Sequence, residues 1–583
     1  MKIMKKKYIL AVVLSMFLST FTLGKVEAAK SSMTAKASKD EIEIDISHIG
    51  KSGEAELYAY DANDYFTKDK ISGIVKKKHA KGTYVGTYTC GTTDYFTVDR
   101  YDEDGRDLIY QKYYLIQNGK ILKGPIYVSK IPSLKKKIAF KQKSIKGLFN
   151  ENSTNMKYAK DLGVSSITIN IDLAGIIYAN EDPQGNPYTI PDHAIEFTSN
   201  GKKYYFNEAI VKAIDKRVIS ASKNHMNVIG VAAAWQNFDM SSYPSAMRYK
   251  NYNYALQMGT NTSNNLGRDY YIAEMEFLAH RYSQSAKTGL ISTYVIGNEV
   301  DFTSNFYASN NLNKFMEEYS RSLCLANIAV KKYASDITVA VPTTHYWTGD
   351  QKKIGKEAGG YSLKPYDMFN WLAKYSKARG NYNWGLALHN YASLNVVSNV
   401  AEVDVSLKRV SGNYKKTQEL TFSNFEVLQA YLSQSKMRYG NALRSVYLTE
   451  SGVSSSHDKK KQLNLQAASL VQAYYKMANL SFVKSFNYYR LRDMKDEAKN
   501  NLRTGLLKEN GKKKPAYYVY KYIDTKKSRK YADPYMKYIT FKRDNKKRIS
   551  MKKKTLKSWK DTMTVFTSSY NWKKKYKAKA YLR

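Results

Sequence analysis

The chain reads as an α/β protein: a (β/α)8 TIM barrel preceded by a small all-β sandwich and followed by a basic C-terminal tail. Three observations predict this. From about residue 143 to 527, eight short apolar, β-prone runs alternate with eight amphipathic stretches, and unbroken alternation of that length closes into a barrel. Before it, residues 29–142 hold only strand-like runs parted by short turn clusters, the pattern of an immunoglobulin- or fibronectin-like sandwich. After it, residues 528–583 lose apolar periodicity and gain lysine runs interrupted by Trp559, Trp572 and Tyr576.

The elements follow in chain order. Lys5, Lys6 and Lys7 precede an apolar run over residues 8–23, and Val26-Glu27-Ala28 ends it, so residues 1–28 read as a signal peptide. The run is short for a membrane span and no stop-transfer segment follows. The expected location is therefore secreted, with cell-wall association as an option and a retained N-terminal anchor as the lesser alternative. Sandwich strands are predicted at 41–46, 55–60, 83–88, 95–98, 108–116 and 126–128, with a spacer or binding role. Barrel strands are predicted at 145–149, 166–171, 228–232, 292–296, 337–341, 384–388, 445–449 and 483–487. Helices are predicted at 156–162, 209–222, 270–285, 312–331, 366–377, 425–437, 465–479 and 517–523. The surplus length falls after strands two, three and six, in βα loops, where barrel enzymes build their sites.

Composition narrows the function. With 583 residues, two or three domains are expected. Lys plus Arg number 94 against 51 Asp plus Glu, a formal charge of +43, which attracts polyanions. No helix-turn-helix, zinc-finger or RNP pattern is present, so nucleic acid is not the expected partner; an anionic cell-wall polymer held by the basic tail is. Cys90 and Cys324 fall in different predicted domains, so the fold is not stapled by cystines. No Cys/His set has zinc spacing, and no P-loop, dinucleotide or Ser-His-Asp motif occurs. Neither metal nor redox cofactor is expected.

The chemistry sits in two glutamates. Glu299 in Gly297-Asn298-Glu299 ends strand four, and Glu450 in Thr449-Glu450-Ser451 ends strand seven. Barrel closure faces these two ends across the mouth. A carboxylate pair so placed cleaves a glycosidic bond by double displacement, with Glu450 as nucleophile and Glu299 as acid/base. A lone Asn-Glu at a strand end is often only a cap or ion pair; the combination carries the reading. Trp235, His345 and Trp347 follow strands three and five on the same face and are candidates for sugar stacking and hydroxyl contacts. Asp239 and Asp301, also near the mouth, are expected to order loops.

On Asn298, Glu299, Glu450 and His389-Asn390-Tyr391, the chain over residues 144–525 resembles the clan A glycoside hydrolases. That resemblance implies a (β/α)8 fold, retention of configuration and a polysaccharide or oligosaccharide substrate, β-linked in most members. It implies that Asn298 binds the hydroxyl beside the reacting carbon. It also implies that Tyr391 orients the nucleophile and His389 lines the sugar pocket. Strand eight ends Asn487-Tyr488-Tyr489-Arg490 without the clan's usual tryptophan, so Tyr488 is expected to serve as the stacking platform, with Tyr489 as its alternative. A non-catalytic glycan-binding surface protein and a transglycosylase using the same pair are the competing functions.

Overall fold

The computed structural model describes residues 31–64, 82–149, 156–180, 187–235, 243–249, 257–350, 352–353, 356, 360–391, 411–422, 424–499, 502–536, 538, 540–542 and 548–550. The signal peptide read at 1–28, Asp239 and the lysine-rich stretch from 551 lie outside them. The N-terminal part has seven strands: β1 (Ser32–Ala37), β2 (Glu41–Ser47), β3 (Glu54–Tyr60), β4 (Gly82–Thr89), β5 (Thr93–Asp99), β6 (Lys112–Gln117) and β7 (Lys120–Lys130). Their order is β4-β3-β6-β7-β1-β2-β5. In β2 the isoleucines 42, 44 and 46 are buried while the acids between them are not, the period-two alternation of a half-buried strand. Strand β7 joins the two halves, pairing antiparallel with β6 over its first part and parallel with β1 at its end. Strand β1 was not expected, because Ser-Met-Thr-Ala-Lys-Ala is mostly polar; only Met33 and Ala35 turn inward.

Next come β8 (Lys146–Phe149), β9 (Ser166–Asp172), a hairpin of β10 (Ile195–Ser199) and β11 (Lys202–Phe206), then β12 (Asn227–Trp235) and the short β13 (Gln257–Met258). β14 (Ile291–Ile296), β15 (Thr338–Thr343), β16 (Trp384–Tyr391), β17 (Val446–Gly452) and β18 (Val483–Tyr488) complete the set. β8, β9, β12 and β14–β18 pair in parallel in chain order, and β18 pairs back onto β8, closing an eight-stranded barrel. Eight helices follow the eight barrel strands: α1 (Met156–Leu162), α2 (Glu208–Lys223), α3 (Asn265–Arg281), α4 (Leu312–Tyr333), α5 (Pro365–Ala378), α6 (Val427–Leu432), α7 (Lys460–Ala478) and α8 (Pro515–Tyr522). Asn207, Asn264 and Asn311 cap α2, α3 and α4 by accepting from their first free N–H groups, while α5 and α8 open on proline.

Inside the barrel, Ile229, Val231, Val295, Ala340 and Ala387 form an apolar layer, with Trp235 and Tyr447 packed against it. Beside it Ser166 donates to the Asn487 amide oxygen at 2.7 Å, and the same amide donates to Thr168. Between sheet and helices two buried tyrosines donate to strand carbonyls, Tyr319 to Ile296 at 2.9 Å and Tyr520 to Phe486 at 2.8 Å.

The sandwich is not a free-standing spacer. Residues 131–145 run beneath the barrel, where the Asp336 carboxylate accepts from the Ile138 and Ala139 amides. Asp61 pairs with Arg268 of α3 at 2.8 Å, Asp107 with Lys332 of α4 at 3.0 Å, and Tyr110 donates to Glu276. The fold also continues past residue 527. Two single-turn helices, Ser528–Tyr531 and Asp533–Met536, bury Ala532, and Tyr538 accepts from Asn464 of α7. A hairpin of Thr540–Lys542 and Arg548–Ser550 comes after them. Both cysteines are free and buried, and among the described residues no helix is long and apolar enough to cross a membrane.

Candidate active site

The site is built where β14, β16, β17 and β18 end. After Ile296 the chain turns through Gly297 at φ +82° and reaches Glu299 at φ +44°. The left-handed region is costly for a residue with a Cβ, so the surroundings must hold Glu299 there. They do so from both sides: Gln257 donates to the Asn298 carbonyl at 2.7 Å, and Val300 N–H to the Pro342 carbonyl at 3.1 Å. Asp301, fully buried, accepts the N–H and hydroxyl of Thr344 after β15. Burial pushes its carboxyl up to about 7 against those two donors. It orders a loop, as its position suggested.

On the neighbouring strands a register shift after Ala387 sets His389 directly opposite Glu450. His389 Nδ1 lies 3.0 Å from Glu299 Oε1 and 3.7 Å from Glu450 Oε2. Two carboxylates touching one nitrogen have their nearest oxygens less than about 7 Å apart, within reach of a single anomeric centre. Tyr391 donates its hydroxyl to Glu450 Oε2 at 2.9 Å. The Glu299 side chain is 26% exposed, that of Glu450 15% and that of His389 1%.

Burial raises the Glu450 carboxyl above its ordinary value; the His389 charge and the Tyr391 hydroxyl pull it back part of the way. Burial alone would depress His389, but the charges of Glu450 and Glu299 win and hold the imidazole up to about 9. The two acids thus favour the imidazolium form of the ring between them.

Strand parity decides the tyrosines. Asn487 points into the barrel, so Tyr488 points out and Tyr489 in. The expected platform Tyr488 is fully buried under α7 and α8, donating to the Thr504 carbonyl at 2.9 Å and packing on Tyr520. It does not face the site. Tyr489 takes that place, its ring meeting the edges of Tyr391 at 5.9 Å and Phe149 at 5.1 Å. Arg490 lies 4.7 Å over the Tyr489 ring, donates to its hydroxyl and pairs with Glu497 at 3.4 Å.

Trp347 is the second correction. It is wholly buried, stacked on Phe369 and edge-on to Tyr431, with its N–H on the Tyr414 carbonyl at 2.7 Å. An indole with apolar partners on all sides is core, not a sugar platform. His345 is buried with its ring on Tyr346 and its carbonyl accepting from Leu420. Trp235 ends β12 above the barrel's apolar layer. Its N–H, the Asn298 and Asn170 amide oxygens, Asp172 Oδ2 and His389 Nε2 are buried without a hydrogen-bond partner. The other Asp172 oxygen accepts from Trp235 and Ala174 N–H at 3.0 Å each, and burial holds its carboxyl up to about 6. Among the described residues no group of His, Cys, Asp and Glu is arranged to hold a metal ion.

Fold and site together define a (β/α)8 barrel protein with two carboxylates brought to one histidine at the C-terminal ends of its strands. The chain belongs to the family of unknown function DUF5722, whose model matches residues 139–546. No curated protein matches it. Among solved structures it is similar to a family 39 glycoside hydrolase from Bacteroides cellulosilyticus WH2, at 13% identity and TM-score 0.39, covering 84% of this chain and 82% of that one. It is also similar to a β-glucosidase from Pyrococcus furiosus (15% identity, TM-score 0.39, 64% and 83% covered). A GH5_18 protein from Bifidobacterium longum subsp. infantis is a third (11%, 0.41, 65% and 78%).

Proposed function

We propose that this protein is an exported, retaining glycoside hydrolase. The observation that carries the reading is the trio at the mouth: Glu299 and Glu450, distant in the chain, both within 3.7 Å of His389 Nδ1. Nearest oxygens less than about 7 Å apart admit the roughly 5–5.5 Å of direct attack and reach only the lower edge of the 6.5–9.5 Å that an interposed water requires. Glu450, hydrogen-bonded by Tyr391, attacks the anomeric carbon while Glu299 gives a proton to the leaving oxygen. Ester formation cancels the Glu450 charge. Having given its proton to the leaving oxygen, Glu299 is then the base that activates water in the second step. Asn298 binds the hydroxyl next to the reacting carbon, Trp235 and Tyr489 meet the sugar's apolar faces, and a β-linked substrate is favoured. Export rests on the N-terminal leader, and retention at an anionic envelope on the lysine-rich tail.

The test is chemical. With Glu450→Gln, turnover of a glycan panel is expected to vanish while circular dichroism stays that of the wild type and a cooperative melting transition is kept. An activated 2-fluoro sugar is expected to leave a mass adduct on the peptide containing Glu450. Hydrolysis undiminished in Glu450→Gln would end the proposal.

A further inference from the structure

A groove with an aromatic floor and a cationic rim lies on the helical ring, outside the mouth. Along the outer face of α5, Asp367, Asn370, Trp371, Lys374 and Lys377 recur at helical spacing. With Leu312 of α4 and Lys436 across from it, this stripe lines an open groove of about 690 Å³. The floor is prepared. Trp371 stacks on Tyr375 at 4.1 Å and 23°, and its N–H is held by Asn313 at 2.9 Å, so the indole plane is fixed from one side and below. Lys374, Lys377 and Lys436 are exposed around it, and Asp367 is the one acid in the lining.

We infer that this groove is a secondary binding site for an acidic polysaccharide, a pyranose ring lying on Trp371 while Lys374, Lys377 and Lys436 pair with its carboxylates. An aromatic plane rewards any flat apolar face, and the three ammonium groups select an anionic one. Nucleobases on a phosphate backbone would use the same two features. The uronate-type polymer is favoured because it fits the glycosidase reading, on which this part of the inference rests. On that reading the groove anchors a chain whose other end is cut in the barrel, which makes the substrate a polymer and not a disaccharide.

Binding is measured by calorimetry on the full-length Glu450→Gln protein, with a β-(1→4)-linked hexaglucuronate as probe, cellohexaose as neutral control and a dT hexamer as nucleic-acid control. The hexaglucuronate is expected to bind. Trp371→Ala should weaken it about tenfold with no change in net charge, and Trp371→Phe should restore part of the loss. The triple change K374A/K377A/K436A should weaken it further and flatten the salt dependence. Equal affinity in all these variants would mean diffuse attraction to a +43 chain and would overturn the site. Preference for the dT hexamer with the same Trp371 loss would overturn the glycan. With wild-type catalysis, Trp371→Ala is expected to leave small aryl-glycoside hydrolysis unchanged and to slow polymer hydrolysis. A wild type inactive on the glycan panel with intact hexaglucuronate binding would fail the glycosidase reading while sparing the groove.

Discussion

In the proposed double displacement Glu450 must be ionised to attack; burial works against its charge, and two neighbours, the His389 cation and the Tyr391 hydroxyl, hold it in check together with the charge of Arg490. Removing either neighbour should show in the pH profile. In His389→Gln the carboxylate loses a nearby positive charge, so its proton affinity rises, and the acid limb of kcat/KM should move up by about one pH unit. Tyr391→Phe should move the same limb in the same direction and cost roughly 10²-fold in kcat. An acid limb that stays in place in both variants would mean that neither group tunes the nucleophile. Folding stability follows a different course. His389 titrates at about 9 in the folded protein against an ordinary 6.5. Its ion pairs therefore stabilise fully below pH 6.5, and that contribution is lost as pH rises through about 9. The difference in unfolding free energy between wild type and His389→Gln should shrink over that window.

At the scale of elements, Gly147 shows how tightly the barrel interior is specified. A Cβ there would overlap the Asn487 amide and crowd Ser166, the same amide that ties β18 to Ser166 and Thr168 of β9. Gly147→Ala should therefore destabilise by about 1–3 kcal/mol or more through overpacking. Adding Asn487→Ala should recover part of the loss, read as a positive coupling in chemical denaturation. All eight barrel strands were legible because parallel strands buried on both faces leave continuous apolar runs. Glu299 and Glu450 were legible because polar residues break those runs at their ends. What was not legible was parity. A run such as Phe486-Asn487-Tyr488-Tyr489 does not announce which side faces the lumen, and a one-residue error exchanged Tyr488 for Tyr489. Trp347 was misplaced for a related reason: it lies beyond the strand, where no periodicity fixes direction. The β10–β11 hairpin had a readable sign that went unused, Asn200-Gly201 between alternating residues, both at positive φ.

For the whole molecule, the joint between sandwich and barrel decides how it unfolds. The joint is polar and buried. Glu276 of α3 accepts from Tyr110 and from Ser199 and pairs with Lys332, which also pairs with Asp107, itself paired with Arg100. Separating the two parts would strand these charges in low-dielectric surroundings or require their rehydration together with the apolar surface around them. Breaking such a network by removing one member costs roughly 3–5 kcal/mol, because the remaining charges stay buried. Lys332→Met is therefore expected to lower the melting temperature of sandwich and barrel together, as a single calorimetric transition. A chain lacking residues 1–131 should lose the cooperative transition altogether, since it deprives Arg268, Glu276 and Lys332 of their sandwich partners. Two resolved transitions in the wild type, or a truncated barrel melting where the whole protein does, would show instead that the sandwich is a passenger. The sequence offered no hint of this joint. Tyr110, Glu276 and Lys332 look like ordinary surface residues until the chain brings them together across separations of 166 and 56 residues, and only closure of the helical ring makes their pairing local.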